Sequence, residues 1–453
     1  MWFSALSTSV MAIILWRLSC GKALPSISLC AAWAFVYSLQ TVLAPDMLSS
    51  MFATTVVLTL LASYGLGNMF GWLLVERWGN PRRKMVERTL ILNRKTEARL
   101  GQLTMTMSIL SLVGAIHYSD TLGVMRAGSF NEFILMAGTL RTEIFSEVIQ
   151  LELIDKVGLP LSYSAVIISI MYWYLFGWKW RLILSSLAVV IIGVSQSGRA
   201  GTFIIILQWM AAVGLKRFLD PQYRVRKFLW LSPVLIICVF ILMQLLREGF
   251  YDVSGSSIKR TLYMMRSYMF GGVSAFAYYC DHLWGYTELS LGKYTFSSLY
   301  SALGLGKQAS GIYDSYVQIA SAGDITNIYT AFRSFIDDYT FGGSIIVFIL
   351  LGILSGILYA RLYYGNVLMV AILVPIFSFL LFSPFASLTY FNSFLMSLVF
   401  PYWACKWCVQ LRHSRRRSTV VGVGACPVRP RRRLLALENG SNQDFLRSMR
   451  AAS

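Results

Sequence analysis

Apolar residues run along this chain in long unbroken blocks rather than in the in/out alternation of a barrel strand or the one-sided stripe of a soluble helix. A helix needs about 20 residues to cross a hydrocarbon core of roughly 30 Å, and blocks near that length recur. They predict spans near 1–16, 26–44, 48–75, 100–118, 157–177, 181–196, 202–215, 228–246, 342–360, 367–384 and 387–404. The expected fold is therefore all-α, a polytopic integral membrane protein with about 11 transmembrane helices. The first block begins at Met1 and also reads as an uncleaved signal-like segment, since no A-x-A cleavage pattern follows it. Residues 1–404 form the expected membrane domain and 405–453 a basic, partly disordered cytoplasmic tail.

Composition agrees, with 56% hydrophobic and only 13% charged residues. The net charge of +19 raises the question of nucleic acid, and its distribution answers it. With the loop 76–99 placed in the cytoplasm, that side carries +23 and the opposite side −4. This is the asymmetry of the positive-inside rule, so the basic excess reads as topology, with the N-terminus outside and the C-terminus inside. No nucleic-acid partner is expected. The arginine-rich tail fits either solvated chain or contact with anionic membrane lipids.

Several chemistries find no footing. The chain has no P-loop, no G-x-S-x-G and no glycine-rich dinucleotide loop. Its three histidines, His117, His282 and His413, fall on different segments, so no metal-ligand set and no cofactor is expected. The pair Cys405 and Cys408 has redox spacing but stands alone at the end of the last span.

Two outer segments, 119–156 and 247–340, are long enough to carry function. The second holds 12 of the 24 tyrosines, mixed with acids and bases. That mixture suits a carbohydrate cleft, where rings pack on sugar faces, and equally an interfacial aromatic belt. The stretch 182–215 contains one charge, Arg199, between Gly198 and Gly201 in "SQSGRAG". Its 34 residues must cross twice, which at 1.5 Å per residue gives about 25 Å per crossing and a recessed tip. A guanidinium there, beside bare glycine amides opening a helix, makes an anion site for a lipid phosphate or diphosphate. The alternative is an arginine that snorkels to ordinary headgroups.

Residues 324–343 read "DITNIYTAFRSFIDDYTFGG" and lead into a small-residue span. Thr326, Asn327, Tyr329, Thr330, Arg333, Asp338 and Gly342 resemble the T-N-x-Y-T-x-x-R…D…G pattern of the Wzy-type oligosaccharide repeat-unit (O-antigen) polymerases. "SQSGRAG" and "RSYMFGGVSAF" (266–276) are similar to two further segments of that family, and the resemblance covers about 181–360. It implies a GT-C-like glycosyltransferase bundle with one long periplasmic loop in a bacterial inner membrane. The implied activity moves a growing glycan from undecaprenyl diphosphate onto the non-reducing end of another undecaprenyl-diphosphate-linked repeat unit, at the periplasmic face and without a metal. A chain-length regulator, the polysaccharide co-polymerase, is the implied protein partner. Arg199, Arg333 and Asp338 are the candidate catalytic residues. Arg266, Asn327, Tyr329, Asp324, His282, Gly198 and Gly201 are the candidate binding residues. Asp338, Asp324 and His282, in that order, are the possible general bases, and Asp337 with Asp338 could instead cap a helix or pair with Arg333. An O-antigen ligase would share the donor, and a lipid-linked oligosaccharide flippase is the transporter alternative.

Overall fold

The computed structural model describes residues 1–19, 21–78, 94–123, 126–129, 132, 153–195, 199–220, 222–223, 255–285, 289–303, 305, 313, 316–320 and 323–409. The chain is mostly helical. In order it forms α1 (Trp2–Ser19), α2 (Leu24–Leu43), α3 (Met51–Trp78), α4 (Arg94–Thr121), α5 (Leu153–Phe176), α6 (Ile183–Ser195) and α7 (Arg199–Leu219). There follow α8 (Gly255–Tyr278), α9 (Ser297–Ala302), α10 (Ala331–Tyr363), α11 (Val370–Phe382) and α12 (Asn392–Cys408). Among the described residues the only sheet is a two-stranded antiparallel ribbon of β1 (Val317–Gln318) and β2 (Ile325–Thr326).

Among the described residues, seven helical stretches are long and apolar enough to cross a membrane: Trp2–Ser19, Leu24–Leu43, Met51–Trp78, Arg94–Thr121, Val157–Phe176, Gly201–Leu219 and Ala331–Tyr363. The protein is thus built as a mostly helical, multi-pass membrane protein. The blocks at 181–196 and 367–384 form shorter apolar helices, Trp180–Ser195 and Val367–Phe382, each opening with a 3-10 turn. Thirteen α-helical residues rise only about 20 Å, short of the hydrocarbon thickness. The last block is α12, displaced to Asn392–Cys408, and 228–246 lies outside the described residues.

The tightest pairing joins α3 to α10, and glycine is the reason. A Cβ on Gly67 or Gly71 would lie 2.1 or 2.2 Å from the carbonyl oxygen of Ile349 or Ile353. One on Gly352 or Gly356 would lie 2.3 or 2.2 Å from that of Tyr64 or Asn68. Two small-xxx-small stripes therefore face each other, and only hydrogen side chains let the backbones touch. Ser355 Oγ, accepting from the Tyr64 hydroxyl at 2.7 Å and from Asn68 Nδ2 at 3.1 Å, makes the same contact polar-specific.

The expected long outer loop is not a loop throughout. Residues 255–278 form α8, which continues as a π-helical turn through Tyr279–Leu283. Gly272 packs on the carbonyls of Phe385 and Pro384, and Gln40 Nε2 donates to Ser274 Oγ at 2.9 Å. The β1–β2 ribbon bridges Met47 through Ala320, and Leu48 N–H donates to the Ile319 carbonyl at 2.8 Å. These contacts gather α8, the ribbon and the turns 44–50 and 383–391 at one end of the helices.

Candidate functional site

The centre of that end is a break in α10. The helix starts at Ala331, well before the block read at 342–360, and Thr340 interrupts it with φ 62° and ψ 173°. That backbone region belongs to glycine, and a threonine held there stores about 1–3 kcal/mol. Arg333, Asp337 and Asp338 therefore sit within the short first segment, just before the long apolar segment that follows the break. The break robs the carbonyls of Asp337 and Asp338 of their usual donors four residues on. The N–H groups of Ser290 and Leu291 replace them at 3.4 and 3.2 Å, and Leu291 is itself at a positive φ of 47°.

Asp338 holds the same loop with its side chain. Its carboxylate accepts from Ser290 Oγ at 2.8 Å, Tyr294 N–H at 3.1 Å and Thr295 N–H at 2.5 Å. It is fully buried. The group expected as first choice for a general base is thus a saturated acceptor that pins 290–295 against α10. Of the other roles open to the aspartate pair, the pairing with Arg333 is made by Asp337, while the donors to Asp338 come from that loop and not from a helix N-terminus.

Arg333 occupies an aromatic cage. Its guanidinium carbon lies 3.7 Å from the ring centroid of Tyr313, 3.8 Å from that of Tyr329 and 4.8 Å from that of Tyr279. Its Nε donates to Asp337 Oδ2 at 3.1 Å, and the Tyr279 hydroxyl donates to Asp337 Oδ1 at 2.7 Å. Tyr294 stacks on Tyr313 at 5.0 Å, and Asn327 Nδ2 donates to the Tyr313 carbonyl at 3.2 Å. Burial pushes the Tyr313 hydroxyl well above its ordinary pKa; the Asp337 charge adds to this and the Arg333 charge opposes it. A cation set against three aromatic rings with its Nε on a carboxylate is held rigidly. Of its nitrogens, Nη1 is buried with no hydrogen-bond partner among the described residues.

Arg266, on α8, makes a second centre. It forks onto Asp46 at 2.8 and 3.0 Å and reaches Asp324 at 2.8 Å. Burial works against its charge, yet the hydrogen bonds and charges of Asp324 and Asp46 outweigh it and raise its pKa. Thirteen residues of α8 and its π turn, about 20 Å of rise, separate Arg266 from Tyr279. Arg266 and Arg333 thus each have their own carboxylates, at different heights along α8 and its π turn.

Arg199 is the first residue of α7, while its side chain and Gly198 lie outside the described residues. Gly201 faces α5, where a Cβ would meet the Tyr163 hydroxyl at 2.7 Å. His282 is exposed, lies in the same π-helical turn as Tyr279 and packs on Tyr278 at 4.6 Å between ring centroids. Among the described residues no three His, Cys, Asp or Glu side chains converge as metal ligands. Sequence reasoning missed Asp46, Tyr279 and Tyr313. Asp46 had a signal, as the one acid in the short turn between two apolar helices, but the tyrosines are distant in sequence and nothing marked them out from their neighbours. No protein-family model, no curated protein and no solved structure matches the chain.

Proposed function

We propose that the protein is a membrane glycosyltransferase of the repeat-unit polymerase type. It transfers a growing glycan from undecaprenyl diphosphate to the non-reducing end of a second lipid-linked repeat unit, on the outer face of a bacterial inner membrane. The observation that carries this reading is the convergence of Asn327, Tyr329, Arg333 and Asp338 with Tyr279, Tyr294 and Tyr313 at the break of α10. Aromatic faces, amides and paired charges gathered at the ends of apolar helices are the groups that bind a sugar tethered to lipid.

The geometry redistributes the roles. Arg333 and Asp338 build a rigid floor, because their charges are already spent on Asp337 and on the loop amides. Arg266 with Asp46 and Asp324 lines a more open rim suited to sugar hydroxyls. The leaving diphosphate falls to Arg199 and the N–H groups that open α7, where positive charge meets the developing anion. The partners are the two lipid-linked oligosaccharides and a chain-length regulator in the same membrane. The test is the glycan profile of a host lacking the protein. Single repeat units capping the lipid support the polymerase; complete loss of capped lipid, with polymer left on its carrier, would assign a ligase instead.

A further inference from the structure

At the end of the helices away from the Arg333 cage, α2 and α7 both pack on the short helix α11 and leave a groove between them. Phe218 of α7 marks that end, since its ring centroid lies 6.2 Å from that of Tyr359, about seven turns along α10 from Arg333. The groove encloses about 470 Å³. It is lined by Phe377 and Leu381 of α11, Met210 and Gly214 of α7 and Leu24 of α2, with Arg217 in the exposed last turn of α7. Gly214 is exposed, and a Cβ there would meet nothing within 4 Å, so a larger side chain at this position would enter the groove.

Both α2 and α7 are long and apolar enough to cross a membrane, so what reaches a gap between them is hydrocarbon. Its apolar lining offers water few hydrogen-bond partners, and left empty it would forfeit the dispersion contacts of its walls. A lipid chain restores them. The rim selects the headgroup. Trp16 meets the Phe218 ring edge-on at 6.0 Å and a Cβ on Gly21 would lie 2.8 Å from Phe218, so the end of α1 and the turn before α2 gather beside Arg217. Among the described residues the cations Arg17, Lys22, Lys216 and Arg217 outnumber the acids Glu76 and Asp220 there, and the excess is positive whichever pairs form. Leu24 is the first residue of α2, so the positive end of that helix dipole lies at the same rim.

We propose that the groove is a binding site for an anionic glycerophospholipid. One acyl chain lies along Leu381, Phe377 and Gly214, and the phosphate meets Arg217 and the N-terminal end of α2. Arg217 is already oriented, since its Nη1 donates to the Tyr223 carbonyl at 2.9 Å, while Lys216 is engaged with the rings of Trp173, Tyr174 and Tyr223. The bound chain completes the packing of α2 and α7 on α11. The site is distinct from the glycosyl-transfer centre and does not presuppose that reaction.

The experiment uses full-length protein in phosphatidylcholine vesicles holding a trace of phosphatidylglycerol with a photoactivatable diazirine on one acyl chain, and maps the cross-links by mass spectrometry. Peptides around Leu24, Gly214 and Phe377 should be labelled several-fold more than the exposed face of α1 at Leu6 and Ile13, which reports bulk lipid. Unlabelled phosphatidylglycerol should displace that label at least about 5-fold better than phosphatidylcholine, the preference expected of one cation near an anionic headgroup. Arg217→Gln should cut the preference by about the same factor. Gly214→Leu should abolish the groove label and spare that of α1. Where Gly214→Leu does not fold, Arg217→Gln and competition on the unaltered protein still decide. Equal displacement by the two lipids, or groove labelling no stronger than that of α1, would overturn the proposal. Displacement best achieved by undecaprenyl diphosphate would overturn it as well and give the groove to a polyprenyl chain.

Discussion

Arg333→Lys separates a caged arginine from a ligand-binding one. The substitution keeps the charge but removes the plane that lies 3.7 and 3.8 Å from the Tyr313 and Tyr329 ring centroids. A desolvated cation–π contact is worth about 2 kcal/mol or more, and lysine keeps only part of it. The Nε–Asp337 bond at 3.1 Å is charge-assisted, and such bonds contribute about 1.5–3 kcal/mol. Even if the ammonium still reaches Asp337, the expected loss is about 2–4 kcal/mol of stability. Arg333→Leu should cost more, about 3–5 kcal/mol, because Asp337 is left buried with its charge unpaired. Replacing Asp337 by Asn in the Arg333→Leu background should return part of that, as coupled neighbours do. The assay is thermal unfolding of the detergent-solubilised protein by tryptophan fluorescence, at matched concentration and beside polymer yield in membranes. An Arg333→Lys protein that melts like the unaltered one yet makes no polymer would refute the cage and put the guanidinium on the substrate.

Three other outcomes follow from the same geometry. Gly352→Ala should lower thermal stability by about 1–3 kcal/mol, since its Cβ would sit 2.3 Å from the Tyr64 carbonyl oxygen, while Gly214→Ala, with open space around it, should be neutral or slightly stabilising; equal melting of the two would refute close packing of α3 on α10. If the Arg199 guanidinium forks onto a diphosphate, Arg199→Lys should lose activity nearly as badly as Arg199→Ala, by roughly 30- to 1000-fold for a barrier change of about 2–4 kcal/mol. Gel analysis of chain length reads it out, and long polymer from a well-expressed Arg199→Lys protein would make the arginine a headgroup anchor. Polymer formation by the purified protein should persist in excess chelator; loss on chelation with rescue by Mg²⁺ or Mn²⁺ would mean that carboxylates of the site hold a metal.

The membrane architecture was legible from the chain itself because it depends on a one-dimensional quantity. Whether 20 consecutive residues tolerate hydrocarbon is decided by their own side chains, and most of the expected spans recur within a few residues. That Arg333 and Asp338 need partners was also readable, since charges at the edge of so apolar a span need compensation. What those charges meet was not. The tyrosines that cage Arg333 come from positions 279, 313 and 329, and Asp46 reaches Arg266 from 220 residues away. Helix periodicity carries no information about such distances. The start of α10 was misplaced because its first turns are mixed in polarity and are buried by α8 and the 290–295 loop rather than by lipid. The groove between α2 and α7 depends on their shared packing against α11, which neither helix records alone. Local sequence sets which segments can live in a bilayer; the long-range packing of those segments sets which polar groups share a site.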